Sequence, residues 1–358
     1  MKSLLGFKIE KRLQVNPAVR VVSLLIAVLA ALLISAALVG SAGANIFEAF
    51  SALFLGGFGS QRALIETLVK ATPLILTGLA ATVAFRAKAW NIGAEGQLYV
   101  GALAAFWAAT TFSALARPLL IPAIFLTAFI AGALCGLIPG FLKARLKVDE
   151  ILVTVMMNYI ARYAMSFLLA GPWRDPSSYY LQTIEIPAVS FLPILAAGTR
   201  LHLGFIVALL TALAVFILLW KTPLGYEIRA IGYNPNAARF KGTDVARTFM
   251  IAMAISGGVA ALAGACELAG LYHRVRMVDI AVGYGYTGII VAMLVNLNPI
   301  GVILAAILFG GLVNGSMRLQ VMTGIPIAVV YAMQAIFLLC ALTAEVISRY
   351  QIRRVSHE

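Results

Sequence analysis

Apolar residues fill long runs of this chain, and polar residues gather in short stretches between them. Read at about 20 residues per helical crossing, the runs predict membrane-spanning helices at 21–40, 64–85, 95–113, 118–142, 150–170, 202–220, 247–271, 283–296, 299–317 and 325–348. The third and eighth are short or broken by glycine, so either can re-enter the membrane instead of crossing it. The expected fold is an all-α polytopic membrane protein of about ten transmembrane helices. One transmembrane domain is expected at 21–348, with a cytoplasmic segment at 1–20 and a cytoplasmic tail at 349–358.

The most informative interruption is Phe85 to Gly101, FRAKAWNIGAEGQLYVG. It is polar and glycine-rich, yet lies between two apolar runs. Lipid cannot satisfy free backbone groups, so such a break has to meet water or a pathway. Transport is therefore the first function to consider, with Asn91, Glu95 and Gln97 as candidate pathway residues.

Composition supports a membrane setting. The chain is 62% hydrophobic and 11% charged, with a mean hydropathy of +0.97, whereas soluble domains carry about 25% charged residues. No long hydrophilic segment remains to form a soluble domain. The net charge of +13 alone would suit nucleic acid, but Lys and Arg cluster in alternate loops, as membrane orientation requires. With the N-terminus inside, the inner loops hold Lys2, Lys8, Lys11, Arg12 and Arg20, then Arg86 and Lys88, then Lys143, Arg145 and Lys147. Lys221, Arg229, Arg239, Lys241 and Arg247 follow, and Arg349, Arg353 and Arg354 close the set. The outer side holds Arg62, Lys70, Arg117, Arg174, Arg200, Arg274, Arg276 and Arg318. The inner excess is better than two to one. It places both termini in the cytoplasm and makes nucleic acid an unneeded partner.

The run Val21 to Val39 follows a basic start and precedes Ala42-Gly43-Ala44, which imitates a signal-peptidase site. It exceeds the roughly 7–15 apolar residues of a signal peptide, so a retained first helix is expected. Cys135, Cys266 and Cys340 lie far apart inside apolar runs, without CxxC or CxxH spacing. Packing is their expected role, with no metal and no disulfide framework.

The two halves share a faint pattern, at about 64–170 and 247–348. In the first, a short glycine-broken helix is followed by Pro118 and Pro122, then by Gly132, Gly136 and Gly140. In the second, Gly283, Gly285 and Gly288 precede a short helix, then Pro299, then Gly311 and Gly315. Spacing of four puts glycines on one helix face and permits close packing. In the predicted topology the halves run in opposite directions, the inverted repeat of many transporters. Glycine and proline are also common in transmembrane helices generally.

Several motifs were weighed against plainer readings. Gly283-Tyr284-Gly285-Tyr286-Thr287-Gly288 spells GxGxxG, but no strand precedes it and no βαβ unit surrounds it. A helix starting in a tight space is the better account. No GxxxxGK[ST] occurs, so any ATP that drives the protein binds another polypeptide. In Lys221 to Val245, Asn234 suits an N-cap, Pro235 a first helical residue and Gly242 a C-terminal stop. Arg239 and Lys241 fall in the last turn, where cations suit the helix dipole. A short capped helix in an inner loop is expected to dock a partner, and a solvated turn supplying inside charge is the plain alternative.

Arg162 is placed deep inside a predicted span, and Asn158 lies one turn earlier on the same face. A charge at that depth costs on the order of 3 kcal/mol and has to face the bundle interior or a wet cavity. The pair either lines the pathway or hydrogen-bonds a neighbouring helix. Glu66 and Lys70, spaced i,i+4, are expected to form a local ion pair. Glu267, near an outer helix end, has no clear role. Trp173, Tyr179 and Tyr180, in the outer loop Gly171 to Pro193, suit either an interfacial aromatic belt or a partner.

NIGAEGQ at Asn91 to Gln97 resembles the signature of permease subunits in ABC importers of the branched-chain amino acid and sugar class. VDEILVTVMMNYI at Val148 to Ile160 and TPLGYEIRAIGYNPNAARFKG at Thr222 to Gly242 are similar to its nucleoside and simple-sugar branch. The resemblance runs from about Val19 to Arg349 and implies a multi-pass protein of the bacterial plasma membrane. It implies pairing with a second, homologous permease as a heterodimer, a cytoplasmic ABC ATPase below, and an extracytoplasmic solute-binding protein. On that basis Arg229, Asn234, Pro235, Arg239, Lys241 and Gly242 belong to a segment coupling ATPase closure to the helices. Asn91, Glu95, Gln97, Asn158 and Arg162 stand as pathway candidates. The chain would bind no cofactor and would not be an enzyme, ATP being used by the partner. The competing expectation is a self-sufficient secondary transporter or channel for a small polar solute.

Overall fold

The computed structural model describes residues 7–11, 17–280 and 282–354. In chain order these form β1 (Phe7–Lys11), α1 (Pro17–Ser41), α2 (Ile46–Phe58), α3 (Gln61–Arg86), α4 (Ala94–Thr111), α5 (Arg117–Leu146) and α6 (Glu150–Ala170). Then come α7 (Gly204–Lys221), α8 (Pro223–Tyr233), α9 (Pro235–Phe240) and α10 (Val245–Glu267), which continues into a π-helical turn at Leu268–Tyr272. α11 (Met277–Ile280), α12 (Tyr284–Leu294), α13 (Pro299–Thr323), α14 (Ile327–Arg349) and β2 (Tyr350–Arg354) complete the order.

Local chemistry explains many of the boundaries. Ser60, Asp149 and Asp244 cap α3, α6 and α10 by accepting from Ala63 N, Ile151 N and Arg247 N at 3.1, 2.8 and 3.0 Å. Thr222 caps α8 through Gly225 N at 3.1 Å, with Pro223 opening the helix. α5 stops where Lys147 turns left-handed at φ 58°.

Seven helical segments among the described residues are long and apolar enough to cross a membrane. α1 and α2, bent by 114°, make an eighth if taken as one span. α4 has a polar first turn, and α14 is apolar over Ala328–Phe337. Both fill places expected from sequence. α2 was not foreseen, because its residues were read as a connection. α12, at 11 residues, extends only about 16 Å, and so is a half-length helix, as the glycines before it suggested.

The chain divides into two compact units, Met1–Gly56 with Gly315–Glu358, and Gly57–Asn314. In the first, α1 packs on α14, and Val39, Leu53, Leu319, Val330 and Met333 share a core. β1 and β2 pair antiparallel, Phe7 opposite Arg354 and Lys11 opposite Tyr350. The expected inner segment and inner tail are thus tied to each other.

The second unit is built around α3 and α10. The apolar stretch of α3 is 89% buried and that of α10 with its π turn 72%, against 22% for α6. Outward rows such as Leu126, Ile130, Leu134 and Ile138 on α5 are exposed, which suits lipid and not water. The predicted glycine ridge on α5 is where α10 approaches. A Cβ at Gly132 or Gly136 would strike the backbone of Gly257 or Met253. A long buried helix, a break, a short helix and two long helices occur in that order twice, as α3 to α6 and as α10 to α14.

One expected pair is not formed. Glu66 bonds Arg200 through Nε at 3.0 Å and through Nη2, instead of pairing with Lys70. The guanidinium fork matches both carboxylate oxygens.

Candidate functional site

The break after α3 begins with a sharp reversal. Ala89 N donates to Ala84 O at 3.0 Å, and Lys88 takes the left-handed conformation at φ 54°, which costs a non-glycine residue roughly 1 kcal/mol. Asn91 is fully buried and saturated. Its Nδ2 donates to Gln97 Oε1 and Ser256 Oγ, each at 2.9 Å, and its Oδ1 accepts from Gly93 N at 3.0 Å. Ser256 Oγ donates onward to Ala80 O at 2.7 Å. Asn91 and Gln97, expected on the pathway, therefore lock the start of α4 against α3 and α10.

Glu95 follows in the first turn of α4. Its Oε1 accepts from Gly283 N at 2.9 Å and Tyr99 OH at 2.6 Å, and its Oε2 from Gly285 N at 2.6 Å. This carboxylate from one broken helix caps the N-terminus of the other, α12, where backbone N–H groups would otherwise lack partners. The GxGxxG now has a steric explanation. Gly283 sits at φ 87°, Gly285 leaves no room for a Cβ beside Glu95, and Gly288 leaves none beside Thr77.

Where these two N-termini meet lies a cavity of roughly 370 Å³, lined by Glu95, Asn158 and Arg162 together with Tyr99, Tyr159, Val282, Gly283 and Tyr286. Asn158 organises its wall. Its Oδ1 accepts from Gly96 N at 2.8 Å, and its Nδ2 donates to Ile92 O at 3.0 Å and Tyr286 OH at 3.1 Å. Asn158 thus bonds neighbouring segments and also faces the cavity. Arg162 is exposed, one turn further along α6. It makes no ion pair among the described residues.

Sequence reasoning missed the three tyrosines. Two carried a usable signal, since Tyr99 lies four residues after Glu95 and Tyr159 three before Arg162, each pair sharing a helix face. Tyr286 reaches the cavity only through the docking of α12, which no spacing reveals.

The Lys221 to Val245 segment lies elsewhere and contains two helices where one was expected. α9 is the foreseen capped helix, with six residues. Asn234 Oδ1 accepts from Asn236 N and Ala237 N at 3.0 and 3.1 Å, Pro235 opens the helix, and Gly242 turns at φ 88°. α8, which precedes α9, was not expected. Arg239 and Lys241 are exposed, as are Tyr233 at 80% and Phe240 at 97%. Arg229 instead lies over the Trp220 ring, 5.7 Å from its centroid. Among the described residues no three His, Cys, Asp or Glu side chains gather as a metal site.

Comparison with known proteins places this geometry. The guanosine ABC transporter permease protein NupP of Bacillus subtilis is 39% identical over 333 residues, covering 92% of this chain and 94% of that one. The glucose ABC transporter permease protein TsgB13 of Haloferax volcanii is 35% identical, covering 91% and 88%. The nucleoside ABC transporter permease protein NupB of Lactococcus lactis is 31% identical, covering 84% and 85%. Residues 63–342 match the family described as branched-chain amino acid transport system, permease component, and this multi-pass membrane chain belongs to that family.

Proposed function

We propose that this chain is the membrane permease of an ABC importer, moving a nucleoside or a related simple sugar by alternating access. The observation that carries this reading is the cavity where α4 and α12 begin, its volume within the roughly 300–1,000 Å³ of small-molecule sites. Glu95 already accepts from three donors, which leaves about one of its roughly four acceptor positions open. Arg162 supplies donors, and the tyrosine rings supply flat apolar faces. An uncharged ring-bearing solute rich in oxygen and nitrogen acceptors fits this lining. The names of the relatives, guanosine, nucleoside and glucose permeases, point the same way.

The exposed tip at Tyr233 to Gly242, with Arg239 and Lys241, would meet a cytoplasmic ATPase that binds and hydrolyses the ATP. The chain itself would hold no cofactor and catalyse no covalent step. A second homologous permease would complete the membrane unit, and a solute-binding protein would deliver solute to the outer loop. The β1–β2 pairing keeps residues 7–11 beside 350–354, which supports both termini lying on one side, the cytoplasm.

The test is uptake of labelled nucleoside in cells lacking their own carriers, with the full transporter and with its ATPase deleted. Uptake should require the ATPase and be competed by nucleosides, not by leucine. Proton-driven uptake by this chain without the ATPase would overturn the proposal and restore the self-sufficient transporter.

A further inference from the structure

We propose that Arg86 is a positioning residue for transport. With Glu95 it grips α12 at both ends, so that α12 and the turn after α3 move as one body under the α8–α9 segment. This rests on the permease reading above.

α12 ends in an unusual way. Asn296 and Leu297 both take the left-handed conformation, at φ 53° and 57°, which asparagine tolerates but leucine adopts only under constraint. Leu297 N closes back on Ala292 O at 2.9 Å. The carbonyls of both residues then point to Arg86, whose Nη2 donates to Asn296 O at 3.0 Å and Leu297 O at 2.9 Å, while its Nε donates to Leu297 O at 3.1 Å. A cation therefore closes the negative end of α12, while Glu95 closes the positive end. The two flank the break between α3 and α4, Arg86 as the last residue of α3 and Glu95 in the first turn of α4. The planar guanidinium suits this task because its donors are fixed in one fork.

Arg86 also lies under the inner segment. A Cβ at Gly232, in the last turn of α8, would strike the Arg86 carbonyl. The Arg86 guanidinium lies 5.1 Å from the centroid of the Trp220 ring, and Arg229 of α8 lies over the same ring. A shift of α8 thus bears directly on the residue that holds the far end of α12. At the near end of α12, Gly283 and Tyr286 form part of the cavity wall. An 11-residue helix fixed at both termini transmits displacement as a rod, which supplies a physical link between inner segment and cavity.

The experiment compares wild type, Arg86→Ala and Arg86→Lys in the full transporter with its ATPase and binding protein. Each carries Val282→Cys in a background with Cys135, Cys266 and Cys340 replaced. The readouts are co-purification with the ATPase, basal ATP hydrolysis, solute moved per ATP, and maleimide labelling at Val282→Cys with and without ATP. Arg86→Ala should assemble and hydrolyse ATP, yet move about tenfold less solute per ATP. Its labelling rate should no longer respond to ATP. Arg86→Lys should recover part of both. Unchanged solute per ATP, or an intact ATP response of labelling in Arg86→Ala, would overturn the proposal. If Arg86→Ala does not assemble, the same two readouts in Arg86→Lys decide, and wild-type values there also overturn it. Absence of ATP-dependent uptake in wild type would instead strike at the permease reading itself.

Discussion

The chain breaks twice after a long buried helix, once between α3 and α4 and once between α10 and α12, and the two breaks are built on different terms. The first, residues 87–93, is closed by the Lys88 reversal and by side-chain amides, Asn91 bonding Gln97 and Ser256, and Asn158 donating to the Ile92 carbonyl. The second has a π-helical turn, and the helix that follows it is closed at both ends by side chains flanking the first break, Arg86 and Glu95. Similar places in a repeated order of elements have become a holder and a held piece. The glycines follow this division. Gly283, Gly285 and Gly288 let α12 sit against residues it depends on, whereas the first break relies on side-chain amides.

The largest expected effect comes from removing the upper grip. Glu95→Ala leaves the amides of Gly283 and Gly285 without acceptors in a buried place, costing roughly 3 kcal/mol. Uptake should be lost, and hydrogen exchange should rise in α12 far more than in α4. Glu95→Gln should behave similarly, because its amide nitrogen cannot accept from Gly285. Exchange rising equally in both helices would erase the distinction between holder and held.

Asn91→Ala probes the other break. It removes a buried side chain that bonds Gln97, Ser256 and Gly93, at a cost of about 2 kcal/mol. Loosening should now appear at the start of α4 and along the facing turn of α10, with α12 affected less. Amide exchange resolved by peptide would show this, and preferential loosening of α12 would mean that its grip is set by Asn91 and not by Glu95.

These pairings show how far sequence carries. Hydropathy located nearly every long helix, and the polar stretch Phe85 to Gly101 was recognisable as a place lipid would not accept. The caps of α9 were legible because Asn234, Pro235 and Gly242 act on their own neighbours. Arg86 read only as inside charge, since its partners Asn296 and Leu297 lie some 210 residues away. Glu95 was visible as unusual, but whether it faced solute or held a bend depended on where Gly283 and Gly285 packed. Asn91 and Gln97 looked equally polar, and only the packing shows Asn91 saturated by Gln97, Gly93 and Ser256. Helix caps were readable from their own neighbours, while Glu66 leaves Lys70 for the distant Arg200, and bonds joining distant segments required the packing itself.

Arg162 tests the cavity that the two breaks enclose. It lines the space without an ion pair among the described residues, so Arg162→Ala should leave assembly and melting unchanged. The half-saturating solute concentration for uptake should rise about tenfold, the effect of losing one or two charge-assisted bonds. Arg162→Lys should restore only part, having no planar fork. A fall in melting temperature with unchanged uptake kinetics would assign Arg162 to the fold and leave the cavity without its principal donor.

Arg239→Glu should have the smallest effect and the most local one. The side chain is exposed on α9, and charge reversal there removes no buried contact. Membrane insertion, melting and exchange at both breaks should match wild type, while binding of the ATPase weakens severalfold and recovers as salt screens the added repulsion. This outcome would separate docking at α9 from transmission through α8 and Arg86, because the inner segment would be gripped less tightly while its link to α12 stayed intact. Solute moved per ATP should therefore remain normal even as total uptake falls. Normal ATPase binding in Arg239→Glu would remove α9 from the interface. A fall in solute per ATP would show that docking and transmission share the same residues.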